Sequence, residues 1–178
     1  KNVVKERGNV VYDCIKNGIS VISMHTNLDV AEGGVNDCLA KALKLEDISP
    51  VTDDEGFPVR KGELCEEMSA DGLARYVKSI LGGTVRYTDG KTPIKRVAVC
   101  GGSGGNDLHI AMENTDAFIT ADVKHNLFIE ANAKGYTLLD AGHFHTENVV
   151  VEPLAKKLGE RAKTVKFIPF KGNEIKTV

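Results

Sequence analysis

The stretch DAGHFHTE, residues 140 to 147, brings imidazoles and carboxylates close together in the sequence. His143 and Glu147 lie four residues apart, so one turn of helix places both side chains on one face. Neutral imidazole and carboxylate are the ligands expected for zinc and other first-row divalent ions. The spacing therefore indicates a metal site, although a packed or hydrogen-bonded His143 and a helix-capping Glu147 fit it equally well.

A second group of candidate ligands lies much earlier in the chain, in SMHTNLDVAEGG. Here Asp29 follows a predicted strand and shares its turn with His25 and Asn27. If this strand lies beside the one that precedes His143, Asp29 can join His143 and Glu147 around one ion. An Asp29 that only caps a helix fits the sequence equally well.

Two further motifs follow predicted strands. The glycine loop CGGSGG, residues 100 to 105, precedes a predicted helix, so its amides could cradle a phosphate. It lacks the lysine of a P-loop, and a purely structural tight turn is favoured. TADVKH places Asp122, Lys124 and His125 at a strand end, where open α/β sheets bind ligands, but this is a weak signal alone.

Composition restricts the class of protein. The 178 residues carry a formal net charge of -2 with a pI near 6.2, which argues against a basic surface for nucleic acid or anionic lipid. The four cysteines are scattered singly, which argues against a zinc ribbon or a disulfide framework. No apolar run reaches the roughly 18 residues of a membrane span. A cytoplasmic protein is expected.

The elements that must position these residues alternate in type. Hydrophobic periodicity predicts buried strands and amphipathic helices, with a polar, turn-rich stretch over 46 to 63. Strands are predicted at 19–27, 84–89, 95–100, 117–122, 136–142 and 164–170, and helices at 2–17, 33–45, 69–81, 107–114, 125–135 and 151–162. The strand–glycine turn–helix–strand order near residue 100 predicts a parallel βαβ unit.

Five motifs in order, HTNLD, GGVND, VAVCGGSG, ITADVKH and AGHFHTE, resemble those of the Nif-three-like family. Its members are also called type 2 GTP cyclohydrolase I homologs and dinuclear-metal hexameric proteins. The resemblance runs from about Ser20 to Leu158. It implies an α/β fold of two similar intertwined lobes, with mixed, partly parallel sheets flanked by helices. Residues 1–178 are expected to form one such domain, and the family's subunits assemble into a toroidal hexamer.

The resemblance also implies a two-metal site that faces an inner cavity. By position, Asp29 resembles the carboxylate that bridges both ions, and His143 and Glu147 resemble the C-terminal ligands. His25 and His125 are then the candidate catalytic residues, since both resemble neighbours of the metal pocket, as Lys124 does. Two divalent ions, zinc, iron or manganese, are expected per subunit of the full-length protein.

Two features of the sequence depart from the family pattern, and a third indicates which form of the family the chain has. The family takes further ligands from a His-His pair upstream of HTNLD, and this sequence begins after that point, so the N-terminal part of the fold is expected to be missing. Ala121 stands where glycine is usual. The segment from Asp47 to Cys100 is too short for the extra domain that some members carry, which indicates the compact form.

Two classes of function are consistent with this site. The first is a metal-dependent hydrolase of a nucleotide-like or other small molecule, with His25 or His125 as proton carrier. The second is a non-enzymatic hexameric protein that binds or delivers metal or regulates a partner. The GTP cyclohydrolase name rests on the resemblance, because no residue pattern in the chain indicates a purine pocket.

Overall fold

A six-stranded mixed sheet organises the computed structural model, which describes residues 9–53, 56–170 and 172. The strands are β1 (Glu46–Pro50), β2 (Arg60–Met68), β3 (Arg86–Tyr87), β4 (Ile94–Val99), β5 (Ala117–Thr120) and β6 (Thr137–Asp140). Their order across the sheet is β1-β2-β4-β5-β6-β3. β5 pairs in parallel with β4 and β6, whereas the other pairs are antiparallel. The mixed α/β class predicted from the sequence is confirmed.

Helices cover both faces of the sheet. They are α1 (Val10–Lys16), α2 (Thr26–Asp29), α3 (Val35–Ala42), α4 (Ala70–Leu81), α5 (Leu108–Asn114), α6 (His125–Ala133), α7 (His143–Glu147) and α8 (Val151–Arg161). Side chains alternate between the faces, as a strand requires. Ile119 and Leu139 pack in one core cluster with residues of α3 and α4, whereas Phe118 and Leu138 pack in a second with residues of α5 and α6. The central strands are therefore buried on both faces.

Several predicted elements are confirmed. The helix predicted over 69–81 spans Ala70–Leu81, and the Ser69 hydroxyl accepts a hydrogen bond from the Gly72 amide at 3.2 Å, as an N-cap does. The predicted βαβ unit is present, because β4 and β5 are parallel and joined through α5. The helix predicted over 2–17 is present as Val10–Lys16, and its first part lies outside the described residues.

Two predicted strands are wrong. Residues 19–24 are irregular, and the side chains of Ile19, Val21 and Ile22 are 58%, 71% and 84% exposed. Residues 164–170 likewise contain no strand. A segment with high strand propensity forms a strand only where a neighbouring strand pairs with its backbone and one of its faces is buried. Neither segment pairs with a described strand.

The turn-rich interpretation of residues 46–63 is also wrong in part. These residues supply β1 and the start of β2, which pair as an antiparallel hairpin. Asp29 likewise does not lie in a loop after a strand, because it ends the single turn of α2.

Within the described ranges, no helix combines the length and the apolar character that a membrane span requires. All four cysteines are free, as their spacing predicts.

Candidate metal centre

The His143 and Glu147 side chains meet on α7. This helix follows β6 and Gly142, and the four-residue spacing brings His143 Nε2 to 3.0 Å from Glu147 Oε1. Both side chains are accessible, with relative exposures of 48% and 39%. The expectation that one helical turn places them on one face is confirmed. Two ligand-type atoms thus face each other at an accessible position after a sheet strand.

The glycine loop of residues 100 to 105 forms the wall behind this pair. A Cβ on Gly102 would collide with the Glu147 carboxylate and approach His143 Nε2 to 3.2 Å, so only glycine lets the loop come this close. Three of its amides already donate within the protein: Gly101 to Asn36 Oδ1 at 2.6 Å, Gly102 to Thr146 Oγ1 at 3.0 Å and Gly104 to Thr120 Oγ1 at 2.9 Å. The tight-turn interpretation is therefore favoured over a phosphate cradle.

Asp29 reaches the same place from α2. Asp29 and Glu147 both line a cavity of about 290 Å³. Asn36, which is fully buried on α3, donates to the Asp29 carbonyl at 3.2 Å and accepts from Gly101. This one amide side chain therefore ties the backbone of Asp29 to the loop behind His143 and Glu147.

Burial raises the pKa of Asp29, and the positive charges of His25 and His143 oppose that rise. His143 is thus close enough to act on the Asp29 carboxylate. The three predicted ligands, Asp29, His143 and Glu147, therefore lie near one another, but their side chains are not arranged around a common point. Among the described residues, no group of three or more His, Cys, Asp or Glu side chains is arranged to hold a metal. The donor types fit a divalent ion, and the assembled part is the pair on α7.

Asp122 contacts His143 from the other side. Its Oδ2 lies 2.6 Å from His143 Nδ1, so the ring is held between two carboxylates. The sequence places Asp122 at a strand end but gives no sign that His143 is its partner. Asn36 and Gly102 are also missed, since their roles arise from contacts between distant segments.

The two candidate catalytic residues occupy different environments. His25 lines the cavity beside Asp29, and its Nδ1 lies 3.1 Å from the Thr26 hydroxyl. His125 is exposed at the start of α6 and does not line this cavity. Asn27 accepts a hydrogen bond from the His25 amide at 2.8 Å, a local contact that leaves its amide oxygen directed at the backbone rather than at Asp29.

The Cys100 thiol lies in the same neighbourhood. Burial raises the pKa of Cys100 to about 12, and the negative charges of Asp107, Asp29 and Glu147 act in the same direction. A thiolate rather than a thiol is the form that binds zinc. Cys100 is therefore a protonated thiol that packs in the core, and we do not assign it as a metal ligand.

The contacts of His143 with Asp122 and Glu147 predict that the stability of the protein depends on pH. The Asp122 hydrogen bond is the main cause that raises the pKa of His143, with Glu147 adding to it and burial opposing it. Protonated His143 then stabilises the metal-free protein below its ordinary pKa of about 6.5, and this contribution is lost as the pH rises through the higher folded-state pKa.

We therefore expect the melting temperature of the wild type to exceed that of His143→Gln by more at a pH of about 5.5 than at about 9. The difference should be modest, because the ion pairs are partly exposed to solvent. Thermal melts of the metal-free proteins across this range measure it. A difference that grows with pH would contradict the pairing of His143 with Asp122 and Glu147.

The family model for Duf34/NIF3 (NGG1p interacting factor 3) matches residues 1–174. The chain belongs to this family. A GTP cyclohydrolase 1 type 2 homolog of Streptomyces coelicolor is 37% identical over 154 residues, and one of Clostridium perfringens is 34% identical over 173. These alignments cover 79% and 92% of this chain but 54% and 66% of the relatives. The chain thus spans between half and two thirds of the length of these Duf34/NIF3 relatives.

Solved structures of similar proteins share the Duf34/NIF3 fold. A hypothetical protein of Staphylococcus aureus superposes with a TM-score of 0.80 at 26% identity, covering 92% of this chain and 69% of that one. A Bacillus cereus protein related to NIF3 reaches 0.83 at 20% identity, covering 96% and 77%, and supports the fold alone. The resemblance drawn from the five sequence motifs is confirmed at the level of family and fold.

Proposed function

We propose that this chain binds a divalent metal ion through Asp29, His143 and Glu147. The observation that carries the proposal is the pairing of His143 Nε2 with Glu147 Oε1 at 3.0 Å, while Asp122 holds the far side of the ring. An imidazole with one nitrogen on a carboxylate and the other facing a second ligand atom is the usual arrangement at zinc sites. Asp29 lines the same cavity as Glu147, and the charge of His143 acts on its carboxylate, so it is the third ligand of the proposal.

The reaction class we favour is hydrolysis of a small molecule, as the relatives' names suggest. A divalent ion supplies an electrophile that polarises a phosphoryl or carbonyl oxygen and acidifies water. The protein's own part follows from the cavity. Asp29, His143 and Glu147 would hold the ion, His25 lies beside Asp29 where it can carry a proton, and the side chains of Leu28 and Phe144 give the cavity apolar walls.

One observation favours the non-enzymatic alternative. The described residues that line the cavity include no lysine or arginine, so no fixed cation is placed to bind a phosphate chain. Most lining side chains are apolar: Met24, Leu28, Val35, Phe144, Val150 and Val151. A protein that stores or delivers metal needs no such cation. The toroidal hexamer and the second ion implied by the family resemblance stay predictions, and the second ion needs ligands beyond these three.

Metal content tests the binding proposal. Three protein ligands suffice for one zinc ion, so we expect the 178-residue chain to take up one ion and not two, as measured by inductively coupled plasma mass spectrometry. A chain that retains no ion would contradict the binding proposal. Two tightly held ions per chain would show that the ligands have been assigned wrongly.

Turnover of nucleotides and phosphoesters by the metal-loaded protein separates the two classes of function. Activity that disappears in Glu147→Gln supports the hydrolase. Metal binding without activity above that variant supports the non-enzymatic alternative.

A further inference from the structure

Asp122 has a backbone conformation that side chains rarely adopt. It lies in the short loop between β5 and α6, and its φ of 50° is in the left-handed region where glycine is unstrained. Its side chain is 55% exposed, so it is not there to fill the core. Aspartate enters this region more readily than most residues, and Lys44, Asp47 and Lys91 also have a positive φ, so the backbone alone assigns Asp122 no role. Its contact with His143 at 2.6 Å is what distinguishes it.

A single buried carboxylate fixes the two loops that carry this pair. Asp140 accepts hydrogen bonds from the Val123 amide at 3.0 Å and from the Gly142 amide at 3.1 Å. Arg86 donates to Asp140 at 2.5 Å and to the Val123 carbonyl at 3.3 Å. Asp122 and His143 are the chain neighbours of Val123 and Gly142, so Asp140 fixes the positions of their backbones relative to each other.

The distances around the imidazole indicate how its protons are shared. His143 Nδ1 lies 2.6 Å from Asp122, whereas His143 Nε2 lies 3.0 Å from Glu147. A neutral imidazole carries one proton, and the shorter contact to an ionised acceptor is the stronger hydrogen bond. When the ring is neutral, the proton therefore stays on Nδ1, and Nε2 has only a lone pair, which a cation rather than the Glu147 carboxylate can satisfy.

We propose that Asp122 is the positioning residue of this site: it holds the Nδ1–H of His143 and so presents Nε2 as the ligand atom. The inference rests on the proposed function, because the atom so presented is the one assigned to the ion. It goes beyond it by giving the strained residue after β5 a role that does not involve contact with the metal. Groups that hold a metal-binding imidazole in this way typically contribute about 10- to 100-fold to metal affinity.

The chain offers a matched pair of substitutions. Asp122→Gly removes the carboxylate and also relieves the left-handed backbone, so the variant should fold. Asp47 is also exposed, also has a φ of 50°, and lies on β1 outside the site. Asp47→Gly therefore makes the same change in charge and backbone freedom elsewhere. Asp122→Asn, which keeps an acceptor oxygen without the charge, is the conservative variant.

We expect the zinc dissociation constant, measured by competition with a chelator, to rise about 10- to 100-fold in Asp122→Gly. Asp47→Gly should match the wild type, and Asp122→Asn should lie between. Both glycine variants should melt within a few degrees of the wild type. Equal zinc affinity in Asp122→Gly and Asp47→Gly would overturn the inference.

A second measurement does not depend on metal. Nitrogen-15 correlation spectra of the metal-free protein, at a pH where His143 is neutral, report which ring nitrogen carries the proton. The wild type and Asp47→Gly should show the Nδ1–H tautomer, and Asp122→Gly should shift towards Nε2–H, because Glu147 is then the remaining acceptor. An unchanged tautomer would overturn the inference. A shifted tautomer in a protein that binds no zinc would uphold the role of Asp122 while refuting the proposed function.

Discussion

Replacing His143 with alanine is expected to weaken zinc binding by more than about 100-fold, because removing a group that merely orients a ligand already costs about 10- to 100-fold. His143 is half-exposed, so the substitution leaves little cavity in the core and the fold should survive. Glu147→Gln keeps the shape of its side chain and removes the charge, and it should weaken binding in the same direction. Chelator competition measures both affinities, and thermal melts establish that the variants are folded.

His109 provides the matched control for the lost imidazole. Its side chain is 63% exposed on α5 and lies 3.5 Å from Glu130, away from the residues assigned to the site. His109→Ala should bind zinc as the wild type does. Retention of wild-type affinity by His143→Ala would exclude His143 as a ligand and would contradict the proposed three-residue site.

The central strands can be predicted from the sequence, whereas the hairpin β1–β2 cannot. β5 (AFIT) and β6 (TLLD) are short, fully buried strands between helices, and apart from Asp140 they contain only apolar residues and threonine. Such continuous apolar runs are typical of strands that are covered on both faces. β2 buries Arg60 and Gly62 and exposes Cys65, so its alternation of polar and apolar residues is broken. The error over residues 19–27 has the opposite cause, because strand propensity is present there but no described strand pairs with it.

The candidate site divides in the same way. The pairing of His143 with Glu147 follows from helical spacing, a local property that the sequence contains. The contacts of Asp122 with His143 and of Asn36 with Gly101 join segments 21 and 65 residues apart. Such contacts depend on how strands and helices are stacked. Sequence spacing therefore locates ligands but not the groups that hold them in place.

Replacing Arg60 with methionine is expected to destabilise the fold by about 3 to 5 kcal/mol, because breaking a buried ion pair leaves the partner's charge without compensation. Arg60 Nε donates to Asp37 Oδ1 at 2.8 Å, and their side chains are only 6% and 14% exposed. The guanidinium also donates to the carbonyls of Phe57 and Val30 at 2.7 and 2.9 Å. Both carbonyls lose their donor in Arg60→Met.

For a domain of this size the loss should lower the melting temperature by roughly 10 °C. Arg75 provides the control, since it contacts Asp71 at 2.7 Å but is 79% exposed. Arg75→Met should hardly change the melting temperature, because exposed pairs contribute little. Equal shifts in the two variants would show that burial does not set the strength of the Arg60 pair.

The same ion pair connects stability to the proposed site. Asp37 accepts the Gly33 amide at 2.8 Å, and Arg60 holds the Val30 carbonyl, so together they fix the loop that follows Asp29. The double variant Arg60→Met/Asp37→Leu leaves neither charge buried without a partner. The double variant should therefore lose less stability than the sum of the losses in the two single variants. Urea melts of the four proteins measure this coupling. Strictly additive losses would mean that Arg60 and Asp37 act separately and that the buried pair is not a coupled unit.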